Sequence, residues 1–361
     1  MFPLLFGILL GLLQTANNTA QPQVQRREFF VASDPGTQIF VREVFAGPAN
    51  KTRMAIALVH GARVPGVASF DLPVAGGSLA ADLALRGLDV FIMDVRGYGR
   101  SSRPPEMDDP PDRHAPLVRS EEVARDIAAV VNSIHQQRPA ARIVVFGWAT
   151  GRQWASYYAS RRPENLSALI VLNSLYRGAG KHDLIGHGSD LEDPAHPGHF
   201  NTAVCGAYRW NAANSLLRPW DHSVPDEDKS LWRDPAVAEA YVYEALASDP
   251  KAASHTPPAF RSPCGAMEDS FYLATGRQLW DASLITVPTL VIASERDFWS
   301  RPEDRNNLMD DLVHARKTKL VTIPGATHFV HLERPEHGRD ILVKEIIAFT
   351  EADQPTYSFS E

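Results

Sequence analysis

Cysteine is nearly absent. The chain holds two, Cys205 and Cys264, both in one segment, so an exported protein has a single bridge open to it, the alternative being two buried thiols. There is no excess of positive charge: the formal net charge is -7, which leaves no basic footprint for nucleic acid. Long apolar runs are missing too, since the nearest approach to one, Met1 to Leu13, is too short to cross a bilayer. No internal repeat divides the chain. Apolar residues at 44% and charged residues at 22% exclude a disordered or fibrous protein. What is left is a globular chain of 361 residues, long enough to bury a sizeable core.

The Met1 to Leu13 run, followed by polar Gln14 to Ala20, suits the apolar region of a secretory signal peptide over residues 1–20. No Lys or Arg precedes it, and the small-residue pattern before Gln21 is imperfect. The expectation is a secreted or periplasmic protein without stable membrane insertion; a retained interfacial anchor is the alternative. Asn17-Asn18-Thr19, Asn50-Lys51-Thr52 and Asn165-Leu166-Ser167 match the glycosylation acceptor pattern, which has meaning only in a eukaryotic host.

Phe29 to Val31 and Ile39 to Val44 flank the turn-forming Ser33-Asp34-Pro35-Gly36 and predict an opening antiparallel hairpin. Met54 to Val59, Val90 to Val95, Ile143 to Phe146, Ala168 to Asn173 and Val287 to Ala293 are nearly unbroken apolar runs, as expected of strands buried on both faces, and Lys319 to Ile323 is read as the last strand. Helical stripes lie between them, notably Val123, Ile127, Val130, Val131 and Ile134, and Asp340 to Thr350 closes the chain as an amphipathic helix. This alternation predicts an α/β fold: a mostly parallel sheet flanked by helices.

From Ser174 to about Ser283 the periodicity is lost. An insertion of that length between two sheet strands is read as a mainly helical cap over residues 174–284, with residues 21–173 and 285–361 as the core. Helices are expected at Ala236 to Leu246 and Ser270 to Leu279. Trp210, Trp220, Trp232 and Trp280 are candidates for lining an apolar pocket or for packing the cap itself. His182, His187, His196, His199 and His222 fit no metal-ligand spacing, because His-Pro-Gly-His puts Pro and Gly where a regular scaffold is needed. A solvated polar loop is expected there, with no metal and no other cofactor.

The chain is organised around Ile143 to Tyr158. An apolar strand runs into Gly147-Trp148-Ala149-Thr150-Gly151 and then a helix-like segment holding Trp154, Tyr157 and Tyr158, the order of a nucleophile elbow. The two glycines let backbone segments approach where side chains would clash, and the turn holds its central residue under strain. That residue is Ala149, which has no oxygen with which to attack. The motif has the frame of G-x-S-x-G without its nucleophile, so the chain as written is silent by the covalent route.

Taken with the order of the other motifs, this elbow resembles that of the α/β-hydrolase superfamily, in a serine hydrolase of the ester- or lactone-cleaving kind with alanine at the nucleophile position. The resemblance implies nucleophile, acid and base in chain order at Ala149, Asp297 and His328, with Glu295 and His331 as rivals for the last two. It implies oxyanion donors at the backbone N–H of Ala62, after His60-Gly61, and of Thr150, at the start of the elbow helix. Arg63 and Trp148 are candidate substrate-binding residues; Asp94 and the glycines of Arg96 to Ser102 have a structural role. The expected partner is a small-molecule carboxylic ester or lactone of medium to large size. Ala115 to Arg119 and Phe70 to Pro73 resemble exported hydrolases among which macrolide-lactone esterases occur. Ala149 is read as a replacement of the serine. Two alternatives stand: a natural non-hydrolytic binding protein or cyclase that uses the pocket without a nucleophile, and an epoxide hydrolase or dehalogenase whose nucleophilic Asp is replaced.

Overall fold

A computed structural model of the chain describes residues 23–47, 54–182 and 184–352. The expected signal segment and the acceptor patterns at Asn17 and Asn50 lie outside the described residues. Ten strands are formed among them: β1 (Val24–Ala32), β2 (Gln38–Ala46), β3 (Met54–Val59), β4 (Asp89–Met93), β5 (Arg142–Trp148), β6 (Ala168–Leu172), β7 (Tyr208–Ala212), β8 (Ala259–Pro263), β9 (Thr289–Arg296) and β10 (Thr318–Thr327). The helices are α1 (Gly66–Phe70), α2 (Leu79–Leu85), α3 (Ser120–Gln137), α4 (Thr150–Arg161), α5 (Ala213–Leu216), α6 (Arg218–Ser223), α7 (Pro235–Ala247), α8 (Gly265–Ala274), α9 (Pro302–Asp311) and α10 (Arg339–Glu351).

Eight strands form one sheet in the order β1-β2-β4-β3-β5-β6-β9-β10. The first two pairings, β1 with β2 and β2 with β4, are antiparallel, and the rest are parallel. The central strands are buried along their whole length, which is why their sequences read as apolar runs rather than alternations. Their side chains divide strictly by parity. Ile56, Leu58 and Phe146 point into one core with α2 and α10, whereas Ala55, Ala57, Val59 and Val145 point into the other with α3 and α4. Parallel strands end on one side of the sheet, so the loops after β3, β5, β9 and β10 gather at a common edge, where α/β folds carry their sites.

The segment between β6 and β9 covers that edge. It is less purely helical than its composition predicts: β7 and β8 pair antiparallel as a separate ribbon, with Cys205 and Cys264 joined by a disulfide just beyond the end of the ribbon. The helix expected at Ser270 to Leu279 is α8, which starts earlier and stops at Ala274, because Gly276 takes a positive φ of 85° just past the last turn. The insertion is also stitched to the core loop that precedes α3. Gly265 N–H donates to the Leu117 carbonyl, Leu117 N–H to the Ala207 carbonyl, and Arg119 and Ser120 both bond the buried carboxylate of Asp269.

Candidate active site

At the end of β5 the backbone turns sharply through Ala149, at φ 53° and ψ -121°, a conformation that L residues adopt only when their surroundings impose it. The imposition comes from both flanks. A side chain at Gly151 would put its Cβ 2.3 Å from the carbonyl oxygens of Val59 and His60, and one at Gly147 would meet the Arg152 backbone at 2.5 Å. The Ala149 amide donates to the Leu172 carbonyl at 3.0 Å. None of these restraints depends on what side chain residue 149 carries.

The loop after β3 is held by His60. Its Nε2 accepts the Val95 N–H at 3.1 Å, so the proton sits on Nδ1, 2.7 Å from the Gly61 carbonyl. Burial pushes the His60 pKa down to about 4, which keeps the ring neutral and in that tautomer. The next carbonyl, of Ala62, accepts the Tyr98 hydroxyl at 2.9 Å. Thr150 opens α4, where helical amides have no acceptor inside the helix and the dipole is positive. Ala62 and Thr150 both border the cavity onto which Ala149 opens, the placement required of oxyanion donors.

His328, directly after β10, bonds through Nδ1 to Asp297 Oδ1 at 2.6 Å. Asp297 also accepts the Ser300 and Trp299 amides and the Ser300 hydroxyl. Burial pushes its pKa up, but the neighbouring His328 and the bonds from His328 and Ser300 outweigh it and hold the carboxyl below the usual range. Asp297 therefore stays ionised and fixes the imidazole, leaving Nε2 as the ring nitrogen free for proton transfer. The His328 carbonyl is clamped by Trp148 Nε1 at 3.0 Å and by Asn173 Nδ2 at 3.3 Å. The rivals are placed elsewhere. Glu295 is exposed and accepts the Gly325 N–H at 2.6 Å. His331 lies under Trp148, fully buried and with no hydrogen-bond partner at either nitrogen, and burial holds it neutral.

The structure thus brings Ala149, His328, Ala62, Thr150, Arg63 and Trp148 onto one cavity of about 390 Å³, with Asp297 behind His328. The four cap tryptophans are not among its lining. Trp220 stacks on Phe329 from behind and Trp232 on His337, while Trp280 packs at a tilt against Tyr176 and Trp210 lies against His255. The apolar wall is instead built from Leu184, Ile185, Leu216, Tyr241, Met267, Phe298, Trp299 and Phe329. His187 and His196 of the predicted polar loop pair with Glu192 and Asp193.

Three functional positions escape a reading of the sequence. Arg209 enters the cavity from β7, where the surrounding Pro- and His-rich segment shows no period. Asn173 takes a positive φ of 56° at the end of β6 and bonds Ser294 as well as the His328 carbonyl; an Asn closing an apolar run was its only signal. Glu333 is buried, and its Oε1 accepts the Thr327 hydroxyl and, at 3.1 Å, Trp220 Nε1 of the cap. Burial pushes its pKa up to about 7. It ties the cap to the residue preceding His328.

A parallel sheet with a strained elbow, an Asp–His pair on the following loops and two backbone donors across from it defines an α/β-hydrolase of the serine-hydrolase type. The family model for serine aminopeptidases, S33, matches residues 75–335, and the chain belongs to that hydrolase family. No curated protein matches it in sequence. Among solved structures, potato (Solanum tuberosum) epoxide hydrolase I aligns with a TM-score of 0.58 at 17% identity, over 91% of this chain and 100% of that one. The thioesterase domain from the curacin biosynthetic pathway aligns at 0.56 and 17%, over 90% and 99%. The esterase from Exiguobacterium antarcticum aligns at 0.55 and 15%, over 89% and 98%. At these identities the likeness is one of fold.

Proposed function

We propose that this chain is a carboxylic ester or lactone hydrolase working through an acyl-enzyme, with the nucleophilic serine replaced by Ala149. The observation that carries the reading is the Asp297–His328 pair, bonded at 2.6 Å and opening on the same cavity as Ala149. A protein that only binds has no use for a buried acid–base couple aimed at an elbow. With serine at 149, His328 Nε2 would take the hydroxyl proton as it attacks the carbonyl carbon, and the N–H groups of Ala62 and Thr150 would receive the oxyanion. His328 would then return the proton to the leaving alcohol, and water would repeat the cycle on the acyl-enzyme.

A cavity of about 390 Å³ supports a substrate of medium size, since drug-sized ligands fill roughly 300 to 1,000 Å³. Export belongs to the same reading, supported by the apolar run at Met1 to Leu13 and by a disulfide of the kind that persists in oxidising compartments.

The test is Ala149→Ser. The serine form is expected to label with a fluorophosphonate probe and to cleave members of an ester and lactone panel, with His328→Ala abolishing both. The parent should bind those compounds and turn them over on the order of a millionfold more slowly. An inert, unlabelled serine form beside an alanine form that transforms a substrate efficiently would transfer the function to a non-covalent binding protein or cyclase.

A further inference from the structure

The enclosed arginines of this protein are, in the main, neutralised. Arg96 meets Asp126, Arg119 meets Asp269, Arg261 meets Asp249 and Arg301 meets Asp304, each at 2.8 Å or less. Arg152, fully buried without such a pair, is held by the Leu175 carbonyl and the Trp280 ring and is not among the residues lining the active cavity.

Arg63 and Arg209 break this pattern, and both line the active cavity. Arg63 directly follows Ala62 on the loop after β3. One of its nitrogens, Nη2, donates to the Ser215 carbonyl at 2.9 Å and hydroxyl at 3.2 Å, which positions the guanidinium without neutralising it. Arg209 comes from the cap on β7, four residues before the α5 segment that anchors Arg63 reaches. Its Nε is enclosed with no partner, and no carboxylate among the described residues pairs with it. The groups that act electrostatically on Arg209 are Arg63 and Tyr98, and the one that acts on Arg63 is Tyr241. Burial, and then the charge of Arg63, push the Arg209 pKa down to about 10, so Arg209 stays cationic at neutral pH, and burial pushes the Arg63 pKa down as well. The one carboxylate among the cavity-lining residues, Asp190, is exposed.

Two enclosed cations without a counter-ion are costly in the empty cavity and become favourable when a ligand supplies the anion. The same field disfavours a protonated amine. We propose that Arg63 and Arg209 form a subsite for a carboxylate carried by the substrate, so that the ester or lactone taken by this cavity is an acidic one, such as the half-ester of a dicarboxylic acid. The proposal rests on the hydrolase reading above and names its substrate class. A planar guanidinium fork suits the two oxygens of a carboxylate. Because Arg63 is covalently next to an oxyanion donor, the carboxylate would be held within a few bonds of the carbonyl under attack. One arginine comes from the core and the other from the cap, so a bound acid also bridges the two.

The first arm of the test uses the protein with Ala149, in which binding is read without hydrolysis. Monomethyl glutarate is titrated by calorimetry against its neutral counterpart, dimethyl glutarate. The half-ester should bind at least about tenfold tighter, the effect of one charge-assisted contact, and that advantage should shrink as salt rises. Arg209→Met and Arg63→Met should each remove most of it, and Arg209→Lys should restore part of it. Equal affinity for the two esters, or an acid preference untouched by either Met substitution, overturns the proposal. Should a Met variant fail to fold, the salt series on the parent decides: a half-ester preference that is flat with ionic strength rejects the subsite. In the second arm, methanol release by the Ala149→Ser form is measured on the same pair, and kcat/KM should favour the half-ester by a similar factor. A serine form that cleaves neutral esters without acid preference, beside an alanine form that shows none in binding, rejects the subsite and keeps the hydrolase. An inert serine form beside an alanine form that prefers the half-ester does the reverse.

Discussion

Glu333 gives a prediction whose size follows from the structure. The side chain is buried between the cap and the His328 loop, accepting Trp220 Nε1 and the Thr327 hydroxyl, with Arg233 as its nearest cationic influence. Burial dominates, and the carboxyl loses its proton only at about pH 7 instead of the usual 4.5. A carboxyl that ionises later in the folded state favours folding while it is protonated. That contribution is present in full below the ordinary carboxyl range and is lost as the pH climbs through 7. At about 1.4 kcal/mol per pH unit, the loss amounts to roughly 3 kcal/mol between pH 4.5 and pH 8. Glu333→Gln replaces the protonated form with a neutral amide whose oxygen can take both hydrogen bonds, so its stability should lack this component. The measurement is urea denaturation of parent and variant, followed by circular dichroism, at pH 5, 6, 7 and 8. Every other titrating group is common to the two proteins, so the difference of their profiles isolates Glu333. At pH 8 the variant should be the more stable protein, and the gap should close as the pH falls to 5. Two profiles that run parallel across the range would refute the reasoning.

Three further outcomes follow from the described geometry. Gly151→Ala drives a Cβ to 2.3 Å from two backbone oxygens of β3 and its loop, none of which can swing aside, and should cost about 3 kcal/mol or more in denaturant unfolding; Gly36→Ala, at a positive φ with open space around it, should cost only about 1 kcal/mol. Removing the disulfide by Cys205→Ala and Cys264→Ala, across a separation of 59 residues, should lower stability by up to about 4 kcal/mol; equal melting of parent and double variant would show that the bridge adds nothing. In the Ala149→Ser form, Asp297→Asn should lower kcat by about ten-thousandfold through loss of the imidazole tautomer, read as turnover of an ester at saturating concentration; an Asn variant that keeps full kcat would remove Asp297 from the orienting role.

Where the physics is local, the sequence is readable. Met54 to Val59 shows a run of six buried side chains because both faces of β3 are covered, and Gly147 and Gly151 announce a turn in which backbone meets backbone. Asp297 and His328 follow from the order of strand-ending loops. The cap is harder. Its tryptophans suggest a lined pocket, yet Trp220 and Trp232 are fixed by partners from outside the cap, at Phe329 and His337, and no window of sequence holds both members of such a pair. Arg209 and Glu333 look like ordinary solvated charges in their own neighbourhoods. They acquire meaning only because distant segments enclose them, the one by Tyr98 and Arg63, the other by Trp220 and Thr327.

β6 and β9 are neighbours in the sheet although the whole cap lies between them in the chain. An insertion that leaves and returns on adjacent strands can be exchanged between lineages without disturbing the register of the sheet, so catalysis and recognition are free to evolve as separate inheritances. The stitching described above sets the limit of that freedom. Leu117, Arg119 and Ser120 hold Ala207, Gly265 and Asp269 through backbone and carboxylate bonds, and the loop before α3 therefore belongs genetically with the cap. A chimera that transplants the cap alone inherits a seam with unmatched donors and acceptors; one that carries the loop with it moves a complete recognition cassette onto a foreign sheet.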